Sequence, residues 1–342
     1  MAETAAERAE RRSASLQARG PGEVVLNWVR ELTLIPVIVL LMVVGAVVSP
    51  VFLTSSNLIN VTQTAAAVGV VVVAETLILL TGKFDLSLQG TFGLAPLLGA
   101  WLVAPGRQSG GIGTEWNPFV GLLIVLLVGA AIGTFNGILV IKAGFNAFIF
   151  TLAMMILLSG FQLGLVGGAT IYHLPHAFIY LGSDSWLGVP VSVWVTGAIF
   201  LVSGLFLRYH RAGRAVYAIG GNVEAARAAG IEVDRIRIAV FAVGSVLAAV
   251  GGLMESGQVT AVTSGQGSNL IFGVFAAAVI GGVSLDGGRG RVLGALTGVI
   301  LLALVTNILV LTNIPSYWIS AVDGVIILVA LAIARVISFQ RA

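Results

Sequence analysis

The chain contains no cysteine, which removes disulfides, thiol catalysis, iron–sulfur clusters and cysteine zinc sites together. Charge is nearly as scarce. Only 10% of the 342 residues are Asp, Glu, Lys or Arg, against about a quarter in a soluble domain, and a water-soluble enzyme is excluded on that ground. The 44 glycines follow no three-residue period, so a collagen-like chain is excluded, and hydrophobicity excludes disorder. What remains is apolar: 58% of residues are hydrophobic and the mean hydropathy is +1.04. A net charge of +3 does not argue for nucleic acid. The composition is that of an integral membrane protein.

A transmembrane helix needs roughly 20 mostly apolar residues. Ten runs qualify, near 32–49, 58–80, 86–104, 119–141, 146–166, 189–207, 236–256, 270–285, 292–312 and 316–334. The third and eighth are glycine-rich, which leaves eight to ten spans. With ten spans and both termini cytoplasmic, 17 of the 18 Lys and Arg residues fall on the inner side, and Arg107 alone lies outside. Basic residues accumulate on the cytoplasmic side of membrane proteins, and a wrong frame does not easily give so uneven a division. Trp101, Trp186 and Trp318 fall near outer ends, where interfacial rings belong. The expected fold is all-α, with a cytoplasmic arm at 1–31, a membrane domain at 32–334 carrying an inner loop at 208–235, and a cytoplasmic tail at 335–342. The arm lacks the continuous apolar core of a cleavable signal peptide. The outer loop at 167–188 is long enough for a short surface or re-entrant helix.

Chemistry-bearing motifs are few. The one Gly-Lys pair, Gly82–Lys83, is followed by Phe84, and Leu77 stands where a phosphate-binding loop needs its first glycine. No nucleotide site is expected. His173 and His176 have a metal-like spacing without a third ligand, and solvent-exposed loop histidines are the simpler reading. No serine, histidine and acid share a depth, so neither catalysis nor a bound cofactor or metal is expected.

The inner loop is the most informative segment. It and the following helix start carry Arg208, Arg211, Arg214, Arg227, Arg235 and Arg237. Within it, Asn222 can cap a short helix, Glu224 places negative charge at the positive end of the dipole, and Gly230 suits the left-handed residue that closes it. Such a peg of about 10 Å hangs below the bilayer. One reading is a structured inner loop and nothing more. The sharper one is an element that docks in a groove on a cytoplasmic partner.

AIGGNVEAARAAGI (218–231) resembles the A-(I/V)-G-G-N-x-E-A-A-R-x-x-G-I loop of permease subunits of ribose-type sugar ABC importers, matching Gly220, Gly221, Asn222, Glu224, Ala225, Ala226, Arg227, Gly230 and Ile231. LTGKFDLSLQG (80–90) is similar to the family's L-T-G-G-x-D-L-S-V-G, and FNAFIFTLAMM (145–155) to its P-x-F-I-x-T-L-x-M. IGGVSLDGGRGRVLGALTG (280–298) resembles I-G-G-x-S-L-x-G-G-x-G-x-x-x-G, and Tyr317–Trp318 a family Phe-Trp. The likeness runs from about 55 to 334. Lys83 and Gln89 stand where the family usually has Gly, Ala147 replaces a common Pro, and Asp286 and Asp323 are unusual; these departures bear on the substrate rather than the fold. The resemblance implies a type II ABC permease in a bacterial inner membrane, paired with a second copy or a paralogue. It implies two ATPase subunits that supply ATP and Mg, and a periplasmic or lipid-anchored sugar-binding protein. The loop around 222–230 would be the coupling helix.

Glu75, Glu255 and Asp323 lie within or at the edge of spans with no Lys, Arg or His placed to pair with them. A carboxylate at the bilayer centre costs about 2.5–3.5 kcal/mol on insertion scales. Each therefore either lines the path or gate or joins helices by hydrogen bonds, and Glu255 is expected near the outer mouth. Asn136, Gln162 and Asn307 carry the same two readings, a polyol path or interhelical bonding. The ladders Gly129–Gly133–Gly137 and Gly290–Gly294–Gly298 are read as packing faces. Asp85 and Ser87 either cap the third span or touch a partner at the inner face. The competing function is an ion-coupled carrier using Glu75 and Asp323.

Overall fold

The computed structural model describes residues 34–332 apart from 316, 320, 323, 327 and 329–331. The expected cytoplasmic arm and tail, and Asp323, lie outside the described residues.

Helices occupy all ten apolar runs. They are α1 (Ile35–Val48), α2 (Ser55–Leu80), α3 (Leu88–Val103), α4 (Pro118–Ile141), α5 (Ala147–Leu165), and, after a short α6 (His176–Ser183) and a two-residue hairpin, α7 (Val191–Tyr209). Then come α8 (Arg211–Gly221), α9 (Val223–Ala228), α10 (Val233–Val259), α11 (Leu270–Ile280), α12 (Val292–Leu311) and an apolar helix α13 (Tyr317–Ile326). Six of these, α2, α4, α5, α7, α10 and α12, are long and apolar enough to cross a membrane. The other four apolar helices, α1, α3, α11 and α13, have 10–17 residues, short of the roughly 20 that a bilayer core requires. Two of them are the glycine-rich runs. α11 stops at Ile280 because Gly281 and Gly282 follow, and Gly282 takes φ 86°.

The core is built on α2 and α10. From Val70 to Leu80, α2 is buried on every side, the pattern of a helix wrapped by other helices. α10 packs against α4, α2, α3 and α6. Small residues permit that closeness. A methyl at Gly129, Gly133 or Gly137 would press on α10 at Ser245, Phe241 or Ile238. The second ladder serves α11 in the same way at Gly294 and Gly298, which lie against the Gly281 and Ala277 carbonyls, whereas Gly290 belongs to the preceding turn at φ 139°. Outward faces of α4, α5 and α7 expose Leu123, Leu127, Phe161, Leu201 and Val202, as a lipid-facing or subunit-facing surface does.

Candidate functional site

Two places carry polar groups in an arrangement that bears on function, one toward each end of α2.

Toward the N-terminal end of α2, a cavity of about 1000 Å³ opens among α2, α11, α12 and α13. Its walls are mostly apolar, with Val61, Val68, Phe272 and Leu302 among them. Asn60, Thr64, Ser268, Asn269, Thr306 and Asn307 supply neutral hydrogen-bonding groups, and no charged side chain lines it among the described residues. Asn307 and Asn57 bond reciprocally, each Nδ2 donating to the other's Oδ1 at 3.0 and 2.9 Å. At the rim, Gln258 Nε2 donates to Thr64 Oγ1 at 3.0 Å.

Of the intramembrane polar residues expected on a path, the structure brings Asn307 to this cavity and takes three others elsewhere. Glu75 is fully buried between helices. Asn136 donates to Ser87 Oγ at 2.6 Å, and Gln162 donates to the Thr263 and Gln266 carbonyls at 3.3 and 3.2 Å, tying α5 to the loop before α11. Glu75 Oε1 accepts from Asp85 N at 3.4 Å, in the turn before α3. Glu255 lies near the outer end of α10, half-buried and away from the cavity lining. Asn60, Thr64, Ser268, Asn269 and Thr306 were not anticipated. The run SSNLINVTQT at the start of α2 was the available signal, since four of its last six residues are polar or small in an otherwise apolar span.

Beyond the C-terminal end of α2, α9 is the expected short helix. Asn222 Oδ1 accepts from Ala225 N at 2.9 Å, and Gly230 closes the turn at φ 78°, a region costly for any residue with a Cβ. Ala226 is buried at 3% exposure in a small core with Ile219 and Val233. It packs the peg onto its own protein, while Glu224, Ala225 and Arg227 are exposed. Arg227 pairs with Asp234 at 2.8 Å, joining the peg to the start of α10, and Arg235 pairs with Glu232 at 2.7 Å within that start.

α8 joins this peg to the membrane part. A side chain at Gly220 would overlap the Leu80 carbonyl and the Gly288 backbone. Gly288 N donates to Leu80 O at 2.9 Å, Tyr217 Oη donates to Gly290 O at 2.9 Å, and Arg237 donates to Thr81 O at 2.8 Å. Burial raises the Tyr217 phenol above its ordinary value. Burial, with the Arg237 cation beside it, lowers the Lys83 ammonium. Three segments that each carry a recognised motif therefore meet at one junction: the end of α2, the loop 220–222 and the turn 287–290.

Asp85 and Ser87 are both 0% exposed, and Ser87 stands at the N-cap position of α3, which begins at Leu88, without a side-chain cap bond. Asp85 Oδ1 accepts instead from Ser87 N at 2.9 Å, because the chain after Gly82 turns back into the bundle. His173 is exposed, and His176 pairs with Asp184 at 2.7 Å on the outer surface. No group of three or more potential metal ligands occurs among the described residues.

The family profile for the permease component of branched-chain amino acid transport systems matches residues 57–331. The chain belongs to this family. Its relatives include the ribose import permease protein RbsC of Escherichia coli K12, 34% identical over 310 residues that cover 90% of this chain and 94% of the relative. RbsC of Bacillus subtilis is 30% identical over 298 residues, 86% of this chain and 90% of the relative. The autoinducer 2 import system permease protein LsrC of Klebsiella pneumoniae is 32% identical over 303 residues, 87% and 84% respectively. No solved structure matches. These relatives are named as permease proteins of import systems, and the matched region contains both the cavity and the junction at Leu80, Gly220 and Gly288.

Proposed function

We propose that the chain is the membrane subunit of an ATP-driven importer that passes a small neutral polyol, of the sugar or sugar-derived class, through the α2–α11–α12 cavity. A binding protein delivers it outside, and a second permease copy or paralogue completes the path. An ATPase pair seated on α9 drives the change of state. The observation that carries the reading is continuity. α2 is one unbroken helix of 26 residues, about 39 Å long. Its outer half supplies Asn60 and Thr64 to the cavity, and its inner end, Leu80, is bonded into the junction beneath the peg. A displacement at the peg thus reaches the cavity wall through a rigid rod. ATP-driven closure can bias such a protein only as far as the motors bind its two states differently.

The supporting chemistry is consistent at both ends. Neutral amides and hydroxyls on an apolar wall match a hydroxylated, uncharged cargo. A small exposed helix with Glu224 and Arg227 beside alanines offers close backbone approach and orienting charge. Exchanging Glu224→Lys together with Gly230→Val is expected to abolish stimulation of the partner ATPase while membrane insertion stays normal. Co-purification of that double variant with an ATPase showing full stimulation overturns the coupling role. An ion-coupled carrier built on Glu75 is the lesser reading, since Glu75 stands apart from the cavity.

A further inference from the structure

The most polar point of the interior is not the cavity. Glu75 on α2, Asp85 and Ser87 in the turn before α3, and Asn136 on α4 are each 0% exposed. One chain of hydrogen bonds ties them together. Asp85 N donates to Glu75 Oε1 at 3.4 Å, Ser87 donates to Asp85 Oδ1 through both N and Oγ, and Asn136 Nδ2 donates to Ser87 Oγ at 2.6 Å. With those bonds made, Glu75 Oε2, Asp85 Oδ2 and Asn136 Oδ1 are left without partners.

All three orphans are acceptors, and ionised carboxylates can only accept. Each needs a donor or a cation to complete it. No ion pair reaches either carboxylate among the described residues. A buried carboxylate stays ionised where it is paired or coordinates a cation, and otherwise takes up a proton. The Asn136 oxygen is an independent sign, because it comes from another helix and is not acidic. It too stands unpartnered, on an amide that bonds the hydroxyl beside Asp85.

We propose that Glu75 Oε2, Asp85 Oδ2 and Asn136 Oδ1 bind one small monovalent cation of the sodium class. Hard oxygen donors suit such an ion. A divalent ion fits less well. Magnesium demands a near-ideal octahedral shell and retains waters, and no group of three or more acidic or histidine ligands exists here among the described residues. The bound cation pins the turn before α3 against α4. It lies five residues above Leu80 on α2, so it stiffens the inner junction from within the bundle.

The test uses the full chain in lipid nanodiscs and radioactive sodium in equilibrium dialysis. Saturable binding of one ion per chain, not displaced by choline, is expected. Asn136→Ala keeps both carboxylates and is expected to weaken binding by roughly tenfold or more, and Glu75→Gln to abolish it. Should Glu75→Gln fail to fold, the wild type and Asn136→Ala still decide. As a second readout, the unfolding midpoint of the wild type is expected to be higher in sodium chloride than in choline chloride at equal ionic strength, and Asp85→Asn to remove that difference. Absence of saturable sodium binding overturns the proposal. So does a midpoint that follows pH and ignores the cation, which places a proton there. Midpoints equal in every salt leave only water, and overturn it equally.

Discussion

At the scale of single residues, the Asn57–Asn307 pair joins two helices at the wall of the proposed path. Its two bonds cross from α2 to α12 at the cavity wall, and Asn57 Nδ2 also donates to Phe52 O at 2.8 Å. Interhelical hydrogen bonds in membranes are worth about 0.6 kcal/mol each on average, so Asn307→Leu, which removes both, is expected to lower stability by about 1.2 kcal/mol. Uptake of a sugar substrate into proteoliposomes is expected to fall much further, because the cavity loses a polar group. A large drop in unfolding midpoint with transport per folded molecule unchanged shows a purely structural amide. The same residue marks the limit of what was legible. Hydropathy identifies Glu75, Asn136, Gln162 and Asn307 as polar groups within apolar runs, but not the direction each faces. That direction depends on which neighbour lies across the helix, and for Asn136 the neighbour is Ser87, 49 residues away in sequence.

At the scale of elements, the glycine ladders were legible because their four-residue spacing is itself the contact surface. Gly133 on α4 is the clearest case. A methyl there would overlap the Phe241 carbonyl and the Ser245 side chain on α10, whereas one at Gly160 on α5 meets nothing. Overpacking costs about 1–3 kcal/mol, so Gly133→Ala is expected to lower the unfolding midpoint in detergent. Gly160→Ala is expected to leave it unchanged or raise it, since alanine is the better helix former. Equal effects at the two sites would remove the distinction. The peg follows the same logic of local signals. Its cap and its closing glycine are short-range features, and both stand where the sequence places them. Replacing Asn222 by Ala is expected to cost about 1 kcal/mol of local helix stability, seen as faster amide exchange over residues 223–228 with the rest of the chain unaffected. What short-range signals do not reveal is that Ala226 turns inward, since that depends on Ile219 and Val233 closing over it.

At the scale of the whole molecule, the proposed coupling asks how a push at the peg is felt about 18–30 Å away along α2, where Val68 to Asn60 line the cavity. The three motif segments look unrelated in the sequence, lying at 80–90, 218–231 and 280–298. They converge on a single backbone contact at Leu80, Gly220 and Gly288, which explains why each is rich in glycine. This separates docking from transmission. Gly220→Val leaves Glu224, Ala225 and Arg227 on the exposed peg, so a partner ATPase is expected to remain bound. The valine cannot fit against the Leu80 carbonyl, so the junction must open and the peg no longer moves with α2. Coupling free energies between sites are typically about 1–3 kcal/mol, equivalent to roughly 5–150-fold, and ATP-driven uptake is expected to fall within that range. Reconstitution with the ATPase and the binding protein measures both quantities in one sample. Retained co-purification with lost uptake is the expected pattern. If uptake persists with Gly220→Val, force reaches the cavity by a route other than α2, and the rod is not the transmission element.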